Sequence, residues 1–492
     1  MENDTTFQIK FPVLEASDAL RAVLDNGEHK YYILPIIFLR LLCPYLENFS
    51  HYNSHFNDHV NEENSPKIKS LLNNIYDLFQ KNFSSDIGFF INDTLKRVET
   101  LFAESLYQVF RGTDFCSNRL GNFEQRENIL GKILQSFARP PFNFDSNIFR
   151  STSLDEIFND SVAILASHSR HSGEYVTPPE IATLIGRLVA TGESRSYYDP
   201  ACGSGSLLLA CGQEAKLSSS QIVLVGQEKN GAAWAIAKMN LFFSSIDESS
   251  VILGNSLRSP PITDEGNLKI FDVAISNPPW NMKDWGIEFV KSDPYLRFDL
   301  AASSKFNGDY AFILHMLALL NRSSGRLAVI VSNGTLSKSG GDGEIRRRLI
   351  EQNLVEAVIS LPQKLFYNTT IAANIFIIRY GRIDEEVFFI DASDKFFPFK
   401  NRNQFSKPAI DQITDFYAQK HESDGFSRSV KFNEIQKNDF DLSVSRYVLK
   451  AQTEEYINLI ELRTRRREIE QELNELNGLL EQALRETERN SG

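Results

Sequence analysis

Ser276-Asn277-Pro278-Pro279-Trp280 is the stretch whose reading decides the fold. Ahead of it runs Phe271-Asp272-Val273-Ala274-Ile275, an apolar segment of the kind that makes a buried strand. Two consecutive prolines donate no N–H to a ladder and hold φ fixed, so the chain leaves the sheet stiffly at its carboxyl edge. What it offers there is the amide of Asn277, the carbonyl of Pro278 and, past Pro279, the indole of Trp280. Two acceptors beside a flat apolar face suit an aromatic amine: the acceptors take the amino hydrogens and the ring stacks on the indole. A strand-end turn with a packed Trp accounts for the same five residues, because Asn-Pro is a common turn dipeptide.

Outward from this strand the period repeats. Short apolar runs at 196–198, 222–225, 251–253, 273–276, 327–331, 357–361 and 374–379 alternate with helical stretches. That alternation predicts an α/β domain over 166–395 with a parallel, doubly wound, Rossmann-like sheet and its sites at the strand carboxyl ends.

Directly after the first run comes Asp199-Pro200-Ala201-Cys202-Gly203-Ser204-Gly205-Ser206, and then a helix. Gly203 and Gly205 let backbone approach a ligand closely, and the helix that follows aims N–H groups outward. No Gly-x-x-x-x-Gly-Lys-Ser/Thr occurs, which argues against an ATP motor, and Leu208 stands where a dinucleotide turn needs its third glycine. Glu228, closing the second run, sits where a ribose diol is held; a solvated strand-end carboxylate is the plainer reading. Asn255 and Ser256, after the third run, offer a polar pair to an adenine edge. A ribose and an adenine without a pyrophosphate cradle point to S-adenosylmethionine, with Asp199 and its neighbours Ala201, Gly203, Ser204 and Gly205 around the cationic amino-acid end.

The rest of the chain sets bounds. Its 492 residues allow two or three domains. The longest apolar run, at 33–42, is broken by Pro35 and Arg40, and Met1-Glu2-Asn3-Asp4 is unlike a secretory signal, so a cytoplasmic protein is expected. Four scattered cysteines, without a Cys-x-x-Cys pair, fit a reducing compartment and no metal site. A net charge of −12 argues against a chain that grips nucleic acid unaided.

Residues 1–165 read as helices, among them 14–24, 31–46, 68–79 and 94–109, with no catalytic spacing. Between two further helices lies Gly173-Glu174-Tyr175-Val176-Thr177-Pro178-Pro179-Glu180, where Thr177 and Glu180 have the spacing of a capping box. Residues 396–453 read as an irregular region. At 454–492, Leu459, Leu462, Ile469, Leu473, Leu476, Leu480 and Ala483 alternate by threes and fours, a coiled-coil-like seam for docking or for folding back.

With Asp-Pro-Ala-Cys-Gly-Ser-Gly followed by Asn-Pro-Pro-Trp, the chain resembles amino-directed DNA methyltransferases of the gamma arrangement. More narrowly, it resembles the modification subunit of type I restriction–modification systems, an N6-adenine methyltransferase. That likeness extends through 31–42, Gly308-Asp309-Tyr310-Ala311-Phe312-Ile313-Leu314-His315, 325–331, 359–374 and Asp439-Phe440-Asp441-Leu442-Ser443-Val444-Ser445-Arg446-Tyr447. The resemblance implies Glu174, Tyr175 and Thr177 at the methionine end of the cofactor, with Asp309 and Phe312 close by. It also implies double-stranded DNA as substrate, a separate specificity subunit that reads sequence, a second modification subunit, and a restriction subunit in the full complex. Asn255 departs from a commoner acidic residue, and Trp280 from a commoner Phe or Tyr. Alternatives using the same Asn-Pro-Pro-aromatic corner are a protein-glutamine or ribosomal RNA amino-methyltransferase. A nuclease holding metal on Asp199, Gln227 and Lys229, and a silent assembly subunit, are further readings.

Overall fold

The structure is a computed structural model. It describes residues 4–47, 64–80, 86–142, 148, 152–168, 177–190, 194–219, 221–244, 246, 248–301, 305–366, 370–399 and 402–450, with isolated positions between 464 and 476.

Residues 1–448 form one compact unit and 449–492 a second. At the centre of the first lies a nine-stranded sheet built from β1 (Ser196–Asp199), β2 (Val223–Glu228), β3 (Glu248–Leu253), β4 (Val273–Ser276), β5 (Arg326–Ser332), β6 (Val355–Ser360), β7 (Ala373–Arg379), β8 (Glu386–Asp391) and β11 (Ser427–Lys431). Its order is β11-β8-β6-β7-β5-β4-β1-β2-β3. Strands β1 to β5 are mutually parallel, as are β6 and β8. β7 runs antiparallel between β5 and β6, and β11 antiparallel on β8. The sheet is therefore mostly parallel, where alternation alone predicts a wholly parallel one. Residues 361–372, between β6 and β7, contain no helix among those described, and a parallel return is usually made through a crossover helix.

The strands that carry the fold are buried on both faces: β4 throughout, and β5, β6 and β7 all but at one end. Helices lie against both faces, so these runs read as continuous Val, Ile, Leu and Ala without alternation.

The N-terminal helices are fused to this sheet by a shared core. Helix His29–Glu47 is buried all round except at its ends and holds Pro35 and Pro44 within it. A helix apolar on every side has to sit inside a protein. Phe38 on this helix meets Phe110 at 5.7 Å, Phe158 at 6.3 Å, Phe242 at 5.3 Å and Phe243 at 4.8 Å between ring centroids. Phe242 ends helix Gly231–Phe242, which follows β2. The boundary expected at 165 falls inside helix Leu154–His168, because that helix belongs to the same core.

Residues 396–448 are not irregular. They form a two-stranded ribbon (β9, Phe397–Phe399; β10, Arg402–Gln404), helix Lys407–Gln419 capped by Ser406, β11, and helix Phe432–Lys437. Ile410, Ile413 and Tyr417 bury one face of the longer helix, and Arg187 reaches Asp411 at 2.6 Å. Most of the seam expected over 454–492 lies outside the described residues; Leu473 and Leu476 are helical and exposed, and Arg466 pairs with Glu470. Among the described residues no helix is long and apolar enough to cross a membrane.

Candidate active site

The carboxyl ends of β1, β2, β3 and β4 open into one cavity of about 540 Å³, in the size range of small-molecule sites. Each strand delivers a polar group to it: Asp199 from β1, Glu228 from β2, Asn255 and Ser256 after β3, and Asn277 after β4.

The turn after β1 is built to bring backbone to this space. Gly203 and Gly205 have φ of +55° and +78°, a region where side-chain-bearing residues are strained. At Gly203 nothing lies within 4 Å of where a Cβ would be, so its backbone faces open cavity. Gly205 sits below the turn, packed on Ala237, and starts helix Ser206–Lys216; unlike Ala201, Gly203 and Ser204, it does not line the cavity. One oxygen of Glu228 braces the turn, accepting Gly203 N–H at 3.0 Å, and the other accepts the N–H of Asn230, two residues on, at 2.7 Å. Each oxygen keeps a further lone pair for a hydroxyl donor.

Asp199 is 1% exposed, accepting from Ala201 N–H at 3.0 Å and the Ser276 hydroxyl at 2.9 Å on the same oxygen. Burial pushes its carboxyl up to about 7, with Glu228 adding to the rise and the two hydrogen bonds opposing it. Two acidic side chains share one wall, and a positive charge placed there would offset the burial that raises Asp199, so the wall suits a cationic ligand. Asn255 Oδ1 accepts Leu257 N–H at 3.1 Å, which leaves the donor side of its amide for a ligand. Glycine backbone open to the cavity, a ribose-type carboxylate and an amide on the third strand fit a nucleoside bearing positive charge.

At the fourth strand end, Asn277 is buried, and its Nδ2 donates to Thr177 Oγ1 at 3.2 Å. Its Oδ1 is buried and meets no donor among the described residues. The proline corner is held from behind. Asp309 accepts Asn281 N–H at 2.8 Å on one oxygen and the Thr335 hydroxyl at 2.7 Å on the other, so it secures the corner while Phe312, one helical turn on, lines the cavity. Pro279 also lines the cavity; Pro278 and Trp280 do not. The Trp280 ring is half-buried and meets Phe366 edge to face at 5.4 Å.

Thr177 lines the cavity too, but it does not cap the helix that follows: helix Pro179–Val189 has Pro178 at its cap with no side-chain bond. Its hydroxyl is taken by Asn277, and Glu180 is drawn to Arg402 instead. Glu174 and Tyr175 lie outside the described residues. Gln227 does not line the cavity: its amide oxygen accepts from Tyr198 and its amide nitrogen donates to the Ser259 carbonyl, so the arrangement weighed for a nuclease is not assembled.

The N-terminal helices contribute to this site as well, with no local pattern to announce it. Lys30, Leu34, Val162 and Ala166 line the cavity. Asn159 Oδ1 accepts from the Ser206 hydroxyl at 2.6 Å and from Asn240 at 3.2 Å, and Asn240 also donates to the Ser204 carbonyl at 3.1 Å. The glycine turn is thus clamped by a helix some forty-five positions upstream. The contact is tertiary, and no local spacing announces it.

Residues 153–456 match the family described as N-6 DNA Methylase, and the chain belongs to that family. Relatives include a type I restriction enzyme MjaVII methylase subunit of Methanocaldococcus jannaschii, 31% identical over 372 residues, which cover 72% of this chain and 63% of that protein. A type I restriction enzyme MpnII methylase subunit of Mycoplasma pneumoniae is 28% identical, with 93% of each chain covered. In fold, the chain is similar to the crystal structure of a type I restriction–modification methyltransferase subunit from Streptococcus thermophilus, with a TM-score of 0.76 at 23% identity, covering 89% of this chain and 99% of that one.

Proposed function

We propose that this chain is a DNA N6-adenine methyltransferase that uses S-adenosylmethionine and serves as the modification subunit of a type I restriction–modification complex. The observation that carries the proposal is the buried Asn277 Oδ1, which meets no donor among the described residues, on the same cavity as the glycine turn and Glu228. A buried acceptor left unmatched is costly, and it is retained where a ligand supplies the donor.

In this reading Glu228 holds the ribose hydroxyls, Asn255 and Ser256 meet the adenine of the cofactor, and Asp199 with the backbone of 201–204 faces its charged end. Bound there, S-adenosylmethionine supplies an electrophilic methyl group. Asn277 Oδ1 and the Pro278 carbonyl accept the two hydrogens of an exocyclic amine. An adenine amine is a weak nucleophile because its lone pair is delocalised into the ring. Acceptors on both hydrogens favour a tetrahedral nitrogen with the lone pair exposed, and positive charge growing there strengthens both bonds toward the transition state. The remaining acceleration is positioning. An amine inside a duplex is out of reach, so the adenine leaves the stack and lies against Trp280, whose plane Phe366 props from the edge.

The acidic charge and the lack of a basic stripe in the sequence support a separate specificity subunit that reads DNA, with a second modification subunit and a restriction subunit in the full assembly. Family membership favours DNA over a protein glutamine or ribosomal RNA as the acceptor. The test is methyl transfer from labelled S-adenosylmethionine to unmethylated DNA by the chain with its specificity subunit. N6-methyladenine in the digested product supports the reading, and label that never enters DNA removes it.

A further inference from the structure

Behind the cavity runs a chain of buried hydrogen bonds that the reaction itself does not use. Asp293 and Arg297 pair at 2.7 Å with side chains 2% and 1% exposed. Arg297 Nη1 lies 2.9 Å from His315 Nδ1, and His315 Nε2 lies 2.9 Å from the Tyr198 hydroxyl. The Tyr198 hydroxyl donates to Gln227 Oε1 at 3.0 Å, and Gln227 Nε2 donates to the Ser259 carbonyl at 2.8 Å. Arg297 also donates to the carbonyls of Ser256 at 3.2 Å and Leu257 at 2.8 Å.

The directions along this chain are determined. A guanidinium only donates, so His315 Nδ1 accepts and its Nε2 carries the proton. That N–H fills an acceptor site on the Tyr198 oxygen and turns the hydroxyl hydrogen toward Gln227, which fixes which end of the Gln227 amide faces Ser259. Burial and the neighbouring Arg297 push His315 well below the ordinary imidazole range, which keeps the ring in this neutral form. Three of the carbonyls between 256 and 259 are thereby gripped from one side of the loop. Asn255 and Ser256 on that loop line the cavity.

We propose that Arg297, His315, Tyr198 and Gln227 form a directional relay that positions residues 255–259 for the adenosine end of the cofactor. His315 and Tyr198 are positioning residues, since neither lines the cavity. The inference rests on the S-adenosylmethionine reading and assigns the geometry of its adenine wall to a buried histidine contributed by the helix that follows the proline corner.

The test is titration calorimetry on the full chain with two probes, S-adenosylhomocysteine and 5′-deoxy-5′-methylthioadenosine, which lacks the amino-acid end. Tyr198→Phe keeps the ring stacked on Phe271 at 4.9 Å and removes only the hydroxyl that joins His315 to Gln227. The relay predicts that both probes weaken alike, by about tenfold, the size of one buried hydrogen-bond link. His315→Phe weakens both in the same way, and His315→Gln, whose amide offers one acceptor and one donor, restores most of the affinity. Where Tyr198→Phe does not fold, Gln227→Leu cuts the relay one bond further on and carries the same outcomes. Unchanged affinity in a folded variant overturns the relay, as does a loss confined to S-adenosylhomocysteine. A wild-type chain that binds neither probe overturns the cofactor reading itself, a result separable from either of those.

Discussion

Asn277 donates through Nδ2 to the Thr177 hydroxyl at 3.2 Å, across a sequence separation of 100 residues. That bond orients the amide so that its oxygen is the atom left without a donor among the described residues. The segment before the sheet and the corner after β4 thus build the acceptor together, and neither does so alone.

Thr177→Val keeps the shape of the side chain and removes the acceptor for Nδ2. The amide then loses its fixed orientation, and kcat for methyl transfer falls by about tenfold, the worth of one hydrogen bond. Steady-state kinetics that vary DNA and cofactor separately check this. In the proposed mechanism Asn277 meets the developing charge, so the loss is expected in kcat, while any fall in cofactor affinity reads the place of Thr177 on the cavity wall.

Asp199 gives a pH signature. Its carboxyl is pushed from 3.8 up to about 7 in the folded chain, chiefly by burial. Between those values the folded chain holds a proton that the unfolded chain has released. The contribution to stability is therefore full below the unfolded value and is lost as pH rises to about 7. Melting temperatures of wild type and Asp199→Asn across this range check it: the wild type loses ground to the variant as pH rises. A cationic ligand favours the carboxylate, so S-adenosylmethionine binding near pH 6 releases a proton, read as a buffer-dependent calorimetric heat that Asp199→Asn abolishes (pH of about 6, below the raised value).

Gly205 holds φ at +78° and begins the helix after the glycine turn. Gly205→Ala forces a left-handed residue and sets its Cβ 3.4 Å from the Ala237 Cβ. Stability drops by about 1–2 kcal/mol, measured by urea unfolding. The mechanism is local strain, and Gly203→Ala separates it from cavity effects: φ there is +55°, the Cβ points to open space, and ligand affinity falls along with stability.

Strand β4 with its proline corner, the glycine turn and the acid closing β2 were legible as structure because each is a local pattern, an apolar run ending in residues that cannot continue it. What could not be read locally was the other half of the fold. β11 has one apolar position, Val430, in Ser427–Lys431, so this edge strand on β8 shows no run. The antiparallel β7 is as apolar as its parallel neighbours and carries no mark of direction. Thr177 has the spacing of a cap and spends its hydroxyl on Asn277 instead, since a residue pairs with what tertiary packing brings near. Lys30, Leu34 and Asn159 reach the cavity or its turn from helices whose own sequence shows only core periodicity.

The most direct measurement is single-turnover transfer of labelled methyl from S-adenosylmethionine to unmethylated DNA, by wild type and Asn277→Ala, each with the specificity subunit and with cofactor affinity measured alongside. The account predicts N6-methyladenine from the wild type, a loss of about 10²–10³ in rate for the variant, and cofactor affinity held. Transfer by Asn277→Ala at the wild-type rate, or loss of cofactor binding in step with activity, would contradict it.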